Sequence, residues 1–546
     1  MGITARSFLA ATLVLFASLG CPGRASAVEP REAAAEASSL IERIAEQSIA
    51  YPSAPGCLPA WVGATAGEPL LVWPYGGAEP VYFIVPVTGP SAELRGYIGI
   101  DYGTASWQWY AEAPTPADPP LSLRRAVEIL TRARPGSPID AETLRLIEMP
   151  DRHFYWSPAG TDQDFFLDAW DPARLIVGQD AESAGLTRVP SDGLTRIPGD
   201  DSRPSAGAHA VAGGSHPAAA AGGSIAVAAP ASRYPAEYDI VSCPHYYQTT
   251  SYHCGPASLR MVFDYWEMSI GQMMIGRVSN CTDPYGTSAD DMRRAGHFSH
   301  LSTAVQDPTL HGYSQRPYGY ASMDCYWSGI HYDTRYSDLK ELVSSDVPIL
   351  PLMWYSASHA SGHFRVIKGY SDPLDVFIVH DPWFAAPYQG PNVHFQQTFF
   401  VDDLWAYAGH WAMTSQPWEF QLSVPDTVSP DDQFDLATLI TYPGPLRFED
   451  QYPALAPAAT IELSGGLTLA PGETATKVIP DLYASGSAGT VQWELMAPPD
   501  SGTAIVIVRA TGLISGSSGS YPYYEDEIGG VDTCRIVIRT DPGAIP

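Results

Sequence analysis

The segment around Cys254 combines the residue types that catalysis by a nucleophilic thiol needs. Pro256 follows closely, and proline suits the first turn of a helix because its missing N–H would have no partner there. Apolar residues then repeat at helical spacing: Leu259, Val262, Phe263 and Trp266. The sequence therefore predicts Cys254 at a helix N-terminus, where the helix dipole and the free N–H groups favour thiolate over thiol.

Gln248 precedes this cysteine by six residues. A side-chain amide at that distance can place an N–H group beside the sulfur. Together with the backbone N–H of Cys254, it would form an oxyanion hole for a tetrahedral intermediate.

A thiolate nucleophile also needs a base and a group that orients the base. Residues 361–370, which contain His363, are predicted to form a strand, and residues 371–375 a turn. Residues 376–383, which contain Asp381, are predicted to return as a second strand. The sequence thus predicts a hairpin that carries both side chains.

The register of this hairpin decides whether the two side chains meet. If Ser371 pairs with Asp375 across the turn, Arg365 faces Asp381, and His363 is a diagonal neighbour of Asp381 on the same face. A shift by one residue would place His363 and Asp381 on opposite faces. The proposed site therefore predicts the register.

Each of the four residues has an ordinary structural alternative. A lone cysteine such as Cys254 is usually a small buried hydrophobe, and a histidine on a strand, such as His363, is usually structural. Asp381 could cap a turn before Pro382, and Gln248 could be a surface amide. The agreement of their order and spacing favours catalysis over four separate coincidences.

Two other histidines lie near these motifs. His380 is the nearest rival base, but its parity directs it to the face opposite Asp381. His253 neighbours Cys254 and is interpreted as a loop residue.

These motifs resemble those of papain-like cysteine peptidases. The similarity is greatest to the bacterial group related to bacteriocin-processing double-glycine peptidases: a glutamine at 248, Cys-Gly-Pro-Ala at 254–257, Gly-His-Phe at 362–364 and His-Asp-Pro at 380–382. The resemblance extends from about residue 241 to residue 401.

The resemblance implies a papain-like fold and a role for each motif residue. Gln248 would be the oxyanion donor, Cys254 the nucleophile, His363 the general base and acid, and Asp381 the orienting group. The exporter-linked members of the group are cytoplasmic domains fused to membrane transporters. This chain contains neither membrane spans nor an ATP-binding half, so cleavage after Gly-Gly does not follow from the resemblance.

The elements around this region predict an α+β chain of several domains. Residues 28–184 are expected to form a small α+β domain, with helices at 28–50, 121–131 and 140–148 and strands at 70–73, 81–87, 94–100 and 106–110. The order of helix and sheet is similar to that of inhibitory prosegments ahead of secreted peptidases. This domain is therefore a possible prosegment.

Residues 185–233 are rich in Ala, Gly, Ser and Pro, which predicts a flexible linker. Gly-Gly pairs stand at 213–214 and 222–223. We hypothesise that the N-terminal domain is removed by cleavage within this segment. The papain-like domain is then assigned to residues 234–416.

Residues 417–546 contain seven short alternating segments between turn signals, which predict a β-sandwich. The sandwich resembles the immunoglobulin-like accessory modules of secreted bacterial hydrolases.

Residues 1–27 have the parts of a secretory signal peptide. Arg6 precedes an apolar run, and Ala25-Ser26-Ala27 fits a cleavage site before Val28. Lipoprotein processing at Cys21 is an alternative, although Ser18 fits it poorly. The apolar run is too short to span a bilayer. We therefore expect a secreted or extracytoplasmic protein with possible association with the cell surface.

Six cysteines remain after the signal peptide, and Cys281 with Cys325 is the preferred disulfide pair, although sequence alone leaves the connectivity open. No Cys or His spacing typical of a zinc site occurs. Neither a metal nor an organic cofactor is expected.

The chain has 546 residues, which suggests three or four domains, and a net charge of −30. This charge argues against a nucleic-acid or anionic-membrane partner, because both need clustered cations. The sequence predicts a secreted cysteine peptidase whose partner is a peptide or protein substrate. Two alternatives remain: a transglutaminase-like acyl transferase with the same residues, and a non-catalytic extracellular binding protein.

Overall fold

The computed structural model describes residues 27–74, 77–113, 123–133, 139–148, 154–158, 165–169, 175–177, 234–267, 270–283, 285–296, 320–324, 335–359, 361–383, 389–442, 454–482, 488–518 and 521–540. The predicted signal peptide and the predicted linker lie outside these residues.

The N-terminal region begins with helix α1 (Pro30–Ala50), as predicted. Pro30 occupies its first turn, and the Glu32 carboxylate accepts a hydrogen bond of 2.9 Å from the Glu29 N–H. One face of α1 is buried through Ala33, Ala37, Leu40, Ile41 and Ile44. This face packs on the sheet that follows.

Helix α2 (Leu123–Ala133) and nine strands follow among the described residues of this region. The strands are β1 (Thr65–Ala66), β2 (Leu70–Pro74), β3 (Tyr82–Thr88), β4 (Leu94–Asp101), β5 (Trp107–Glu112), β6 (Leu144–Glu148), β7 (Phe154–Pro158), β8 (Phe165–Asp168) and β9 (Leu175–Val177).

The helix predicted at 140–148 is wrong. Residues 141–143 form a short 3-10 turn, and the rest is β6, which pairs in parallel with β2 and antiparallel with β7. Leu144 and Leu146 alternate with the half-buried Arg145 and join the core. Burial between two partner strands has overridden local helix propensity.

The region from 234 to 417 has four helices and eight strands within its described residues. The helices are α3 (Cys254–Tyr265), α4 (Gln272–Val278), α5 (Ala289–Gly296) and α6 (Arg335–Ser344). The strands are β10 (Glu237–Asp239), β11 (Tyr320–Asp324), β12 (Leu350–Trp354), β13 (Gly362–Phe364), β14 (Val366–Ser371), β15 (Val376–Asp381), β16 (Gly390–Gln396) and β17 (Ala412–Pro417).

The strand predicted at 361–370 is divided between two sheets. The first part, β13, belongs to a four-stranded sheet of order β11-β17-β12-β13. The second part, β14, lies in a large sheet of order β10-β14-β15-β16-β5-β4-β3-β2-β6-β7-β8-β9, where β1 also pairs with β3. The site therefore lies where the two sheets meet.

The predicted pairing at the hairpin turn is wrong by one residue. Ser371 pairs with Val376 rather than with Asp375. Asp375 belongs to the turn and has a φ of 57°, which an aspartate tolerates in a turn but not in a strand.

A β-bulge between Ile367 and Gly369 restores the predicted register toward the site. Beyond it, Val366 is paired with His380. The next residues, Arg365 and Asp381, are joined through their side chains. The bulge thus compensates for the shift at the turn.

The large sheet continues without a break from the region of residues 234–417 into the N-terminal region. Strand β16 pairs with β5 through His394 with Tyr110 and Phe395 with Trp109. The sequence analysis did not anticipate this pairing.

Residues from 418 onward form two further sheets, of order β18-β20-β24-β22 and β19-β26-β25-β21-β23. Their strands are β18 (Glu419–Ser423), β19 (Thr427–Val428), β20 (Gln433–Thr441), β21 (Leu455–Leu463), β22 (Thr468–Leu469), β23 (Thr476–Val478), β24 (Ala488–Met496), β25 (Gly502–Ser518) and β26 (Tyr521–Ile538). All seven predicted strands overlap observed ones. Both sheets contribute to one hydrophobic core.

Cys281 is a thiol, and its Sγ lies 3.2 Å from the carbonyl oxygen of Tyr252. The predicted disulfide between Cys281 and Cys325 is therefore wrong, because this sulfur is directed at a backbone oxygen instead. Cys325 itself lies outside the described residues.

Candidate active site

The carboxylate of Asp381, at the end of β15, is fully buried and accepts three hydrogen bonds. His363 contributes one at 2.9 Å, the Arg365 Nε–H one at 2.6 Å and the Trp383 backbone N–H one at 2.8 Å. Burial alone would raise the pKa of this carboxyl, but His363 and Arg365 together hold the pKa well below its usual range. Asp381 is therefore a fixed negative charge near neutral pH.

The imidazole of His363 is held by this carboxylate on one side. Because Asp381 can only accept, Nε2 of His363 carries the proton of their 2.9 Å hydrogen bond. In the neutral ring, Nδ1 then has a lone pair, and this buried atom has no hydrogen-bond partner. The ring of Tyr355 contacts the imidazole edge-on at 5.1 Å. Nδ1 is thus the atom that can take up a proton.

Arg365 is a site residue to which the sequence analysis gave no role. Its buried guanidinium binds Asp381 and donates to the carbonyls of Trp354 at 3.1 Å and Tyr355 at 2.6 Å. Its position opposite Asp381 in the predicted register was the available signal. Arg365 anchors the carboxylate and compensates part of its charge.

Cys254 is the first residue of α3 and is 6% exposed. A Cβ added to the next residue, Gly255, would come within 3.2 Å of Phe364, which follows His363. Burial raises the pKa of Tyr407, and the nearby Cys254 raises it further. The ring of Tyr407 also lies against Gly362, which precedes His363. The start of α3 therefore lies against the strand that carries His363.

Gln248 is 4% exposed and lies beside the end of β15, where its backbone N–H donates to the Pro382 carbonyl at 2.6 Å. Its side-chain Nε2 donates to the Thr250 carbonyl at 2.6 Å, and Oε1 has no partner. An amide nitrogen carries two hydrogens, so Nε2 of Gln248 has a second N–H besides the one that binds Thr250.

The two rival histidines make other contacts. His380 contacts the Cys243 carbonyl through Nε2 at 3.1 Å, and its Nδ1 accepts from the Asn392 N–H at 3.2 Å. Burial lowers the pKa of His380 to about 3. His253 contacts the Thr249 hydroxyl at 3.1 Å. Neither arrangement is that of a base oriented by a carboxylate.

Neither a metal-binding cluster nor a membrane-spanning helix occurs among the described residues. In this part of the chain, no group of three or more His, Cys, Asp or Glu side chains is arranged to hold a metal ion. No helix among the same residues has the length and apolar character needed to cross a membrane.

The central region of the chain is similar to a known family. Residues 240–412, about a third of the chain, match the model of the Peptidase_C39 like family. No curated protein matches the chain.

Several solved structures share limited similarity with the chain. The peptidase domain of Streptococcus ComA, a bifunctional ABC transporter involved in a quorum-sensing pathway, is 18% identical at a TM-score of 0.21, with 32% of this chain and 96% of that chain covered. Native alpha-2-macroglobulin from Escherichia coli, from its MG7 domain to the C-terminus, is 19% identical at a TM-score of 0.17, with 22% of this chain covered. A CARDB domain from Pyrococcus furiosus is 10% identical at a TM-score of 0.15, with 22% of this chain and 87% of that chain covered.

The chain spans only 16% of the length of the alpha-2-macroglobulin structure. The family match, in contrast, includes all four motif residues, from Gln248 to Asp381. The family resemblance predicted from the motifs is confirmed for this region, since residues 240–412 match the C39-like peptidase family model.

Proposed function

We propose that this protein is a cysteine peptidase that uses Cys254 as nucleophile, His363 as base and acid, Asp381 as orienting group and Gln248 as oxyanion donor. The observation that carries the proposal is the buried 2.9 Å hydrogen bond from His363 Nε2 to Asp381, which leaves Nδ1 without a partner. The strand that carries His363 lies against the N-terminus of the helix that begins at Cys254.

The reaction follows from the properties of these groups. His363 Nδ1 removes the thiol proton, and the sulfur of Cys254 attacks the carbonyl carbon of a peptide bond. The oxyanion is stabilised by the second N–H of Gln248 and by the backbone N–H of Cys254. The imidazolium then protonates the leaving amine, and water releases the acyl group from the sulfur.

The setting of the activity belongs to the same proposal. The predicted signal peptide at residues 1–27 supports action outside the cytoplasm on peptide or protein substrates. The two C-terminal sheets support an accessory module of the immunoglobulin-like kind.

Labelling with an epoxysuccinyl thiol inhibitor, followed by intact-mass analysis, tests the proposal. We expect one adduct on the wild-type protein at neutral pH and none on Cys254→Ala. The labelling rate of His363→Ala should be on the order of 10²-fold lower than that of the wild type, because this variant lacks the base.

Cys281→Ser is the matched control. Burial, followed by the nearby Cys254 and Asp291, raises the pKa of the Cys281 thiol to about 12, so this sulfur should not react at neutral pH. Removal of Cys281 should leave the adduct unchanged. Equal labelling of wild type and His363→Ala would contradict the assigned roles.

A further inference from the structure

We propose that residues 28–177 stay bound to the catalytic region after the chain between them is cut, so that a cleaved protein is a two-chain unit rather than a released peptidase. The proposal rests on the proposed function only where it concerns reactivity at Cys254. The association itself follows from three sets of contacts.

The first set is the backbone pairing of β5 with β16. Tyr110 and Trp109 pair with His394 and Phe395, and the ring of Tyr110 stacks on that of His394 at 4.4 Å. Loss of the N-terminal region would turn β16 into an edge strand with unpaired backbone groups. Such an edge is prone to pair with other chains, so release would be unfavourable.

The second set is a shared hydrophobic core. Leu374, Val376 and Ile378, in the hairpin that ends at Asp381, are at most 2% exposed. They belong to the same cluster as α1, and a Cβ added to Gly56 would lie within 2.9 Å of Leu374 and 3.4 Å of Val376. Separation would expose these apolar side chains to water.

The third set consists of polar contacts between the two regions. Glu148, at the end of β6, is 1% exposed and accepts a hydrogen bond of 2.6 Å from the Ser356 hydroxyl. Gln47 of α1 donates to Glu237 of β10 at 3.3 Å. A buried carboxylate requires such partners, so these contacts fix how the regions fit together.

Ser356 links this interface to the site. The preceding residue, Tyr355, accepts from Arg365 through its carbonyl at 2.6 Å, and its ring contacts His363 at 5.1 Å. The N-terminal region therefore supports the segment behind the imidazole. Its removal should slow labelling of Cys254 rather than activate it.

The test cuts the chain at a chosen place. A recognition sequence for a site-specific protease is inserted between Gly213 and Gly214, and the purified full chain is cut and passed over a sizing column under native conditions. We expect both fragments to elute together at the position of the uncut protein. Elution of the N-terminal fragment on its own would overturn the proposal.

Two tyrosine variants show whether the described interface holds the fragments. Tyr110→Ala removes the stack on His394 and the 3.0 Å hydrogen bond to the Gly56 carbonyl, so fragments of this variant should separate after cutting. Tyr51→Ala alters a tyrosine that is 67% exposed, and its fragments should stay together. If the fragments of the two variants eluted in the same way, the contacts of Tyr110 would not be what holds the fragments together.

Epoxysuccinyl labelling of the same fractions separates the two proposals. Co-eluting fragments that never label would contradict the peptidase assignment and leave the association intact. A separated catalytic fragment that labels as fast as the uncut chain would refute the supporting role of the N-terminal region and leave the peptidase assignment intact.

Discussion

At the residue scale, one buried carboxylate organises the site. Asp381 binds His363 and Arg365 at the same time, with one oxygen directed to each. A buried charge is tolerated only when it is paired and hydrogen-bonded. His363 of β13 and Arg365, between β13 and β14, both donate hydrogen bonds to this carboxylate, and the Arg365 guanidinium pairs with its charge. Arg365 compensates part of the negative charge of Asp381, while the other carboxylate oxygen orients the His363 imidazole.

Asp381→Asn should lower the free energy of unfolding by about 3–5 kcal/mol at pH 7, because it leaves the buried Arg365 guanidinium without its carboxylate. Urea unfolding of the two proteins measures the difference. Asp403→Asn is a suitable control. The Asp403 side chain is 38% exposed, and that of His359, its partner at 2.9 Å, is 42% exposed. That substitution should cost no more than about 1 kcal/mol.

The same pair of proteins carries a prediction about pH. The folded-state pKa of Asp381 lies below that of an unfolded aspartate, so its stabilisation is complete above the unfolded value of about 4. It is lost as the pH falls through the folded-state pKa. The difference between wild type and Asp381→Asn should narrow as the pH falls below about 4. A difference that widens below about pH 4 would contradict this assignment.

Cys254, His363 and Asp381 could be picked out in the sequence because each stands in a short motif with a chemical reason. The predicted register placed Arg365 opposite Asp381, but no local pattern indicates that an arginine also binds two distant carbonyls. His245 was missed for a similar reason: its Nε2 lies 2.7 Å from the backbone oxygen of Asp381, a contact that tertiary folding alone creates.

At the element scale, the hairpin shows where sequence reasoning stops. Alternation of apolar residues predicted two strands and the turn, but pairing depends on backbone geometry that parity does not encode. Lys368, at the bulge, forms a buried ion pair with Asp239 of β10. A lysine within an apolar run that binds a neighbouring strand is a local reason to expect a β-bulge. It does not determine at which residue the bulge occurs.

The start of α3 gives a prediction about element packing. In Gly255→Ala, the new Cβ would lie 2.6 Å from Thr287, 2.8 Å from Met292 Sδ and 3.2 Å from Phe364, so the start of α3 or these side chains must shift. We expect labelling of Cys254 to slow on the order of 10- to 100-fold, because small displacements of reacting groups are costly. The stability loss should be about 1–3 kcal/mol.

Gly271→Ala is the matched control at a helix start. Gly271 precedes α4, has a φ of −68° and would place its Cβ with nothing within 4 Å. Its labelling rate should equal that of the wild type. Equal rates for the two alanine variants would mean that the packing around Gly255 does not position the sulfur.

At the scale of the whole molecule, one long-range arrangement could not be derived from local patterns. The pairing of β5 with β16 joins residues nearly 300 positions apart, across the predicted linker, and composition had suggested a boundary there. Compositional change marks where a chain is poor in core-forming residues, but it does not say whether the flanking parts share a sheet. The C-terminal sheets, in contrast, were predictable because their strands alternate regularly.

The C-terminal sheets have a core of their own, which leads to a prediction about truncation. Buried residues of that core all lie between Trp418 and Ile538, whereas those of the core that contains Cys254 end at Met413. A chain that ends at Pro417 keeps β17, which pairs with both β11 and β12. We expect this chain to fold and to label at Cys254 at a rate within about threefold of the full-length protein, as for a separable domain.

A chain that ends at Gly409 provides the comparison. It lacks β17 and so leaves β12, the neighbour of the strand that carries His363, without one of its partners. This shorter chain should unfold at a lower temperature and lose labelling, as measured by thermal melts and intact mass. If the chain that ends at Pro417 failed in the same way, the C-terminal sheets would be part of the catalytic fold rather than an accessory module.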